Sequence, residues 1–420
     1  MDSRRILITG LSSDWGGRLA QALEREPRVE AIIGVDTADP RHELDRTEFV
    51  RVDTEHARIR RIVNAASIDT LVDTRLVADP LAVSVSHAHE INVLGTRNIL
   101  AACDGEDSPV RKVVFKSSAH WYGCGPNDPA FFTEEMERAA PPRSALERDV
   151  VLAEQDVLEF SARNRDSTVT VLRVTNGIGG DLRSSHLALL GLPVVPTIFG
   201  FDPRCQFIHE DDIVGVLEHS VRNDLPGVFN AAADGVLTLS EVVSLLGKTM
   251  LPILPPWGTG FAASQLRRLG LPVPVEMIRQ LRYGRGLDNR RLKASGYTYR
   301  YTTREAVLKL RAHQRLRPLL RSGAESYRYE REVEEFLRWS PSVQEARTRE
   351  RETIDDDSAR APMTGYDELT VDELVGVIGS MEGDALGRLR EYEAAHRARP
   401  AVLEALNHHL ARKGFEDAAS

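Results

Sequence analysis

The stretch Ile6-Leu7-Ile8-Thr9-Gly10-Leu11-Ser12-Ser13-Asp14-Trp15-Gly16 decides the fold. A short apolar run passes through a glycine turn into an amphipathic segment, which is typical of the first strand, turn and helix of a nucleotide-binding α/β domain. Gly10 permits the tight turn, and Gly16 lets the helix pack close to the sheet. The N-terminus of such a helix offers amide groups and a positive dipole end to a pyrophosphate. Ser13 replaces the usual middle glycine, where its side chain either crowds the phosphate or donates to it. We expect the cofactor to contact Gly10, Ser13, Asp14, Trp15 and Gly16.

A carboxylate occupies the position that contacts the ribose hydroxyls in dinucleotide-binding folds. Asp36 follows Gly16 by twenty residues and ends the second predicted strand. A carboxylate there binds both ribose hydroxyls and repels a 2′-phosphate, which favours NAD over NADP. Asp53, at the end of the third predicted strand, is a candidate to face the adenine, and Thr54 and Thr74 are further cofactor candidates. The alternative is an α/β turn that binds nothing.

Short apolar runs alternate with longer amphipathic segments through the first 175 residues. This alternation predicts an α/β, Rossmann-type, doubly wound parallel sheet. The apolar runs are rich in β-branched residues, as in strands buried on both faces. Predicted strands are Arg5–Thr9, Ala31–Asp36, Glu48–Asp53, Thr70–Thr74, Lys112–Ser117 and Thr168–Val174. Predicted helices are Trp15–Glu26, Ala57–Ala66, His89–Cys103 and Leu146–Asn164.

The rest of the chain divides into three parts. Residues 176–320 are punctuated by proline and predict a smaller, interleaved substrate or cap domain, from which residues 205–232 return to the Rossmann domain of residues 1–175. Residues 321–365 are highly charged and are interpreted as a linker. Residues 366–415 predict a small helical module, because Thr370 and Glu373 form a capping-box pattern before an apolar run, and later helices begin at Gly383 and Pro400.

Composition excludes several classes of function. The net charge is −9, and residues 321–420 carry 22 Asp and Glu against 14 Lys and Arg. No basic face for nucleic acid is predicted. Three widely spaced cysteines match neither a metal site nor a disulfide framework. No apolar run is long enough to span a membrane. We therefore expect a cytoplasmic protein without a bound metal.

Four segments, in order, resemble the extended short-chain dehydrogenases, and specifically the NAD-dependent epimerase/dehydratase family, including bacterial UDP-glucose 4-epimerase-like proteins. They are His89-Glu-Ile-Asn-Val-Leu-Gly-Thr-Arg-Asn-Ile-Leu100, Lys116-Ser-Ser-Ala-His-Trp-Tyr-Gly123, Gln206-Phe-Ile-His-Glu-Asp-Asp212 and Gly296-Tyr-Thr-Tyr-Arg-Tyr-Thr-Thr-Arg-Glu305. The resemblance implies NAD as cofactor, a nucleotide-sugar or related small substrate, and a possible homodimer.

The resemblance also implies individual roles. Ser118 would hydrogen-bond the reacting oxygen of the sugar, and Asn92 would support the cofactor side. Asn176 would lie near the substrate diphosphate. The family's arginine two residues before Phe207 is replaced by Cys205, which leaves Arg204 as the neighbouring candidate for substrate binding. For Asn92 and Asn176, the alternative is a purely structural role in capping or bridging backbone.

The acid/base pair that the resemblance implies is missing. Family members carry a Tyr and, four residues later, a Lys; aligned on Ala153-Glu154-Gln155, these positions are Leu146 and Val150. Neither side chain moves a proton. His120 and Tyr122, in the serine segment, are the candidate substitutes, although both also suit packing roles.

Two hypotheses for the function remain open. In the first, the chain is an enzyme acting on a nucleotide-sugar with atypical acid/base residues. In the second, it is a catalytically inactive, cofactor-binding pseudoenzyme that acts through a protein partner bound by the C-terminal helices. Fold alone does not decide between them.

Overall fold

The protein is described here by a computed structural model. It describes residues 3–53, 55–105, 107–180, 182–254, 274–316, 366, 369–378, 383–395 and 397–417. The chain divides into two compact units, Met1–Arg321 and Ser322–Ser420. Each unit is described by itself.

A seven-stranded, fully parallel sheet forms the centre of the first unit. Its strands are β1 Arg5–Thr9, β2 Ala31–Asp36, β3 Thr47–Arg51, β4 Thr70–Asp73, β5 Lys112–Ser118, β6 Thr168–Val174 and, after four short strands given below, β11 Gly227–Ala231. The spatial order is β3-β2-β1-β4-β5-β6-β11. The chain reverses direction across the sheet between β1 and β4. Ligands of open α/β sheets bind at such a switch point, beyond the carboxyl ends of the strands.

Helices cover both faces of this sheet. On one face lie α2 His56–Ala65, α4 Thr96–Cys103 and α5 Ala145–Arg163. The short helix α3 Val85–His89 runs into α4 through a π-helical segment, Glu90–Gly95. On the other face lie α1 Asp14–Glu24 and α7 Glu210–Arg222. Side chains alternate along each strand, so Val113 and Phe115 pack on the α5 side whereas Val114 packs on the α1 side.

The predicted fold class is confirmed. β1, β2 and β6 have the predicted bounds, and β3, β4 and β5 differ from prediction by one or two residues at one or both ends. One expectation was wrong: β3 is not buried on both faces. It is the edge strand, and Glu48, Val50 and Arg51 are exposed. β3 lies between two buried strands in the sequence but at the edge of the sheet in space, so the order of strands along the chain did not indicate its exposure.

Three small two-stranded sheets and several helices follow β6. The pairs are β7 Asn176–Ile178 with β10 Phe207–His209, β8 Val194–Ile198 with β13 Thr249–Leu254, and β9 Arg204–Cys205 with β12 Leu237–Thr238. The helices are α6 Ser185–Gly191, α8 Leu239–Leu245, α9 Val275–Tyr283, α10 Arg290–Ala294 and α11 Thr303–Leu316. Leu292, within the predicted cap domain, packs in the core of the central sheet together with Phe229.

The second unit contains helices α12 Val371–Ile378, α13 Gly383–Ala395 and α14 Pro400–Asp417. The predicted starts after Thr370, at Gly383 and at Pro400 agree with these bounds. Its core consists of Tyr366, Leu374, Ile378, Leu386, Leu389, Val402 and Leu406. Glu393 is fully buried, accepts hydrogen bonds from the Tyr366 hydroxyl and pairs with Arg399. The predicted linker, residues 321–365, lies outside the described residues.

Candidate active site

A cavity of about 670 Å³ opens at the carboxyl ends of the central strands. Its lining comes chiefly from the ends of β1, β2, β3, β4, β5 and β6 and the segments that follow them. One end holds Asp36 and Asp53, and the other holds Ser118, His120 and Asn176. The sheet therefore places the predicted cofactor and substrate residues around one space.

The turn between β1 and α1 is built as its sequence predicts. Gly10 has φ +84°, and a Cβ there would lie 2.7 Å from Cγ of Arg75. A Cβ on Gly16 would lie 2.2 Å from the Gly10 carbonyl oxygen. The Ser13 hydroxyl caps α1: it accepts from the Gly16 amide at 3.0 Å and donates to the Gly10 carbonyl at 2.6 Å. Ser13 thus closes the turn, and the first amides of α1 keep no partner inside the helix.

Asp36 lies at the cavity wall with both oxygens engaged. Oδ2 accepts from the Ser12 amide at 2.9 Å and from the Ser12 hydroxyl at 2.6 Å, while Oδ1 accepts from the Thr37 amide at 2.7 Å. These donors hold the carboxylate in one orientation and leave lone pairs for ribose hydroxyls.

The remaining cofactor candidates differ in where they lie relative to the cavity. Asp14, Trp15, Asp53 and Thr74 line the cavity. Thr74 donates to the Thr9 carbonyl at 3.0 Å, so it also ties β4 to β1. Thr54 lies outside the described residues. Asn92 is fully buried behind the lining: its amide group pairs with both the N–H and the carbonyl of Val77, at 2.8 and 2.9 Å. Asn92 acts on the cavity only by holding Val77, which lines it.

Arg75 also lines the cavity. It lies against Gly10 and forms a bidentate pair with Asp73, with its Nε 3.0 Å from Oδ1 and its Nη2 2.7 Å from Oδ2. Both side chains are nearly buried. The pair is neutral as a whole, so the arginine does not add a free positive charge to this wall.

The serine segment continues from β5 into a short 3₁₀ turn, Ala119–Tyr122. The Ser118 hydroxyl accepts from the His120 amide at 3.3 Å, which leaves its own proton free to donate into the cavity. His120 also lines the cavity. Its pKa lies well below the ordinary value because burial disfavours the charged ring, and nearby Arg285 adds to this effect.

Tyr122 occupies a different environment from Ser118 and His120. It stacks on Phe132 at 4.6 Å between ring centroids and is not among the residues that line the cavity. Its hydroxyl donates to Oδ1 of Asn230 at 2.8 Å and lies 3.2 Å from the Thr133 carbonyl. The pKa of Tyr122 is raised, chiefly by burial. The structure does not bring this phenol to Ser118.

The substrate candidates Asn176 and Arg204 meet at a second, smaller cavity of about 40 Å³. Asn176 lines both cavities and donates to Gln280 at 2.8 Å. His186 also lines both, with its Nε2 2.7 Å from the same Gln280 oxygen. The Arg204 side chain is exposed and lines only the smaller cavity. His186 and Gln280 were missed because their segments carry no motif.

Comparisons with known proteins agree with this geometry. Residues 6–232 match the model of the NAD dependent epimerase/dehydratase family. The uncharacterized protein Rv0501 of Mycobacterium tuberculosis is 34% identical over 309 residues, which cover 72% of this chain and 81% of that protein. The chain belongs to the NAD-dependent epimerase/dehydratase family. The family membership predicted from the four sequence segments is therefore confirmed.

Solved structures share the fold of this family member. MoeE5 in complex with UDP-glucose and NAD has a TM-score of 0.56 at 22% identity, covering 74% of this chain and 99% of that one. The UDP-glucose 4-epimerase of Thermotoga maritima with UDP-glucose has a TM-score of 0.57 at 17% identity, with the same coverage.

NAD is the cofactor of the family, and the residues present here fit it. The amides at the start of α1 and the close Gly10 turn suit a pyrophosphate, and Asp36 suits a ribose diol. Among the described residues, no cluster of His, Cys, Asp and Glu has metal-ligand geometry. No helix in that part of the chain has the length and apolarity needed to cross a membrane.

The two positions predicted for the family's acid/base pair are occupied by core residues in this chain. Val150 is fully buried among Val113, Phe115 and Val171, and Leu146 is also buried. Neither lines the cavity. A proton-transfer group at this site must therefore come from another element.

One further ionisable residue forms part of the cavity lining. Lys116, on β5, is buried, and its amine lies 5.7 Å from the centre of the Trp15 ring. Within the described part of the chain, this amine makes no hydrogen bond. Burial lowers the pKa of Lys116 to about 8, with Asp73 and Asp14 acting in the opposite direction.

Proposed function

We propose that the chain binds NAD(H) in this cavity and oxidises a hydroxyl group of a nucleotide-linked sugar or a related small substrate. The observation that carries the proposal is the single cavity that joins Asp36 and the N-terminus of α1 to Ser118 and Asn176. The nucleotide-sugars named with structures of the same fold support this substrate class.

Each end of the cavity has a defined role in this proposal. Asp36 binds the ribose hydroxyls, and the amides of Asp14 and Trp15 bind the pyrophosphate. Bound NAD supplies a hydride acceptor. Ser118 donates its free proton to the reacting oxygen of the substrate, and Asn176 with His186 contacts the part of the substrate that extends toward the smaller cavity.

The second hypothesis is a cofactor-binding protein without turnover. What favours it is that Leu146 and Val150, the positions predicted for the family's Tyr and Lys, are buried apolar residues. Under this hypothesis the C-terminal unit binds a protein partner. NAD binding is common to both hypotheses, so turnover distinguishes them.

Calorimetric titration with NAD⁺ and NADH tests the proposal first. Incubation with NAD⁺ and a panel of UDP-sugars, followed by chromatography of the sugar nucleotides, then tests turnover. The Ser118→Ala variant is the matched comparison, because it removes the donated proton; it also removes the hydrogen bond from the His120 amide, so its Tm is measured alongside. Absence of cofactor binding contradicts both hypotheses, and binding without any sugar conversion supports the second.

A further inference from the structure

Two lysines on β5 are buried, and they differ in one respect. Lys112, at the start of the strand, donates to the carbonyls of Val221 and Asn223, both at 2.8 Å, and pairs with Asp224 at 3.2 Å. Lys116, four residues further along the strand, has no such partners among the described residues. A buried ammonium without partners is costly. The Lys112 amine therefore has its hydrogen-bond partners within the protein, whereas the Lys116 amine is available to a ligand in the cavity.

The strand also determines which way Lys116 points. Lys116 and Ser118 are two residues apart, so both side chains leave the same face of the sheet. Both line the cavity. Ser117, between them, also contributes to the lining, but its hydroxyl points to the opposite face and donates to Glu154 at 2.7 Å. The amine and the hydroxyl that is expected to hold the substrate oxygen thus belong to one wall.

We propose that Lys116 is a catalytic residue whose neutral amine takes the proton of the substrate hydroxyl that Ser118 holds. This rests on the function proposed above. In the oxidative step the O–H proton passes to Lys116 Nζ, the carbon's hydrogen leaves as hydride to the nicotinamide of NAD, and the C–O bond becomes a carbonyl. In the return step the carbonyl carbon receives hydride and its oxygen regains the proton from the Lys116 ammonium.

The surroundings of the amine suit this exchange. The charged groups acting on it are Asp73 on β4, which Arg75 pairs with, and Asp14 on α1. Trp15 lies over the amine, and His120 follows Ser118 at the strand end. Burial keeps a fraction of the amine neutral near pH 8, and lysines tuned to about 7–8 are effective general bases.

The first test measures the titration of the amine and needs no substrate. The chain has six lysines, so labelling with ¹³C at the lysine ε-carbon gives six signals, and Lys116→Arg assigns the one of interest. We expect the Lys116 signal to titrate at lower pH with NAD⁺ than with NADH, because the positive nicotinamide ring opposes the ammonium. The Lys112 signal, at the other end of β5, is the internal control and should not change. Equal Lys116 titration in both complexes overturns the proposal.

The second test separates proton transfer from simple attraction. Lys116→Met and Lys116→Arg should both lower kcat for the UDP-sugar that the wild type converts by about 10²–10⁴-fold, since arginine keeps the charge but does not give up its proton. Lys309→Met, at an exposed lysine, is the control. Wild-type kcat in Lys116→Arg overturns the proposal. If calorimetry finds no NAD binding at all, the proposed function itself fails, and this role fails with it.

Discussion

The Ser12 hydroxyl lies 2.6 Å from Oδ2 of Asp36, and the Ser12 amide donates to the same oxygen. The glycine turn and the end of β2 are therefore joined through one carboxylate. The residue proposed to distinguish the two dinucleotides also holds the turn proposed to bind the pyrophosphate, so the two recognition roles are coupled.

Asp36→Ala should reduce the preference for NAD over NADP. The substitution removes the charge that repels a 2′-phosphate and also loosens the Ser12 contacts, so NAD binding weakens as well. Calorimetric titration of both dinucleotides measures the ratio of the two Kd values. Asp39→Ala, three residues on and paired with Arg51, is the control and should leave that ratio unchanged. Tighter NADP than NAD binding in the wild type contradicts the assignment.

Tyr122→Phe should lower stability without lowering turnover. The hydroxyl is buried and bonded to Asn230, and loss of such a hydrogen bond costs about 0.5–1.5 kcal/mol. Denaturant unfolding gives the free energy, and kcat with the UDP-sugar that is converted gives the rate. A large fall in kcat at unchanged stability would restore the phenol as the acid/base candidate.

Val150→Lys should not raise the rate of interconversion of UDP-glucose and UDP-galactose above that of the wild type. Val150 is fully buried in the core, where an unpaired ammonium costs several kcal/mol. Thermal unfolding should show a large drop in Tm for this variant. The matched control, Arg148→Lys, places a lysine at an exposed position of the same helix and should keep the wild-type Tm. Faster interconversion by Val150→Lys than by the wild type would contradict the expectation.

A chain that ends at Arg321 should bind NAD with the wild-type Kd. Every residue that lines the two cavities belongs to the first compact unit. Calorimetry on the shortened chain checks this. A weaker Kd, with circular dichroism showing the first unit intact, would mean that the C-terminal unit contributes to cofactor binding.

The C-terminal unit should lose stability in acid. Arg399 holds the pKa of Glu393 at about 2, below its ordinary value of 4.5. A depressed pKa stabilises the folded state above pH 4.5, and this contribution is lost as the pH falls from 4.5 toward 2. Hydrogen exchange of peptides within residues 383–406 of the full chain should show it. Glu393→Gln should remove most of the pH dependence in that window, whereas exposed Glu404→Gln should not.

Periodicity and glycine placement predicted the central sheet well, because strands and helices that alternate in sequence leave few possible topologies. Where a motif fixes a position, as at Gly10, Asp36 and Ser118, the residue lies at the cavity. The sequence could not place Asn92 or Tyr122, since a buried amide or phenol satisfies its hydrogen bonds with whatever backbone the tertiary fold brings near. Lys116 lay inside a quoted motif, yet its role was missed because alternation along β5 alone does not reveal that its amine lacks a partner.

The burial of Val150 limits how this site can be redesigned. The side chain fills a space between α5 and the sheet, so a lysine introduced there would insert a charge into packed hydrocarbon. A new proton-transfer group is better introduced where side chains already line the cavity, on β5 and in the turn before α1, because a charge there meets the contents of the cavity and not the core.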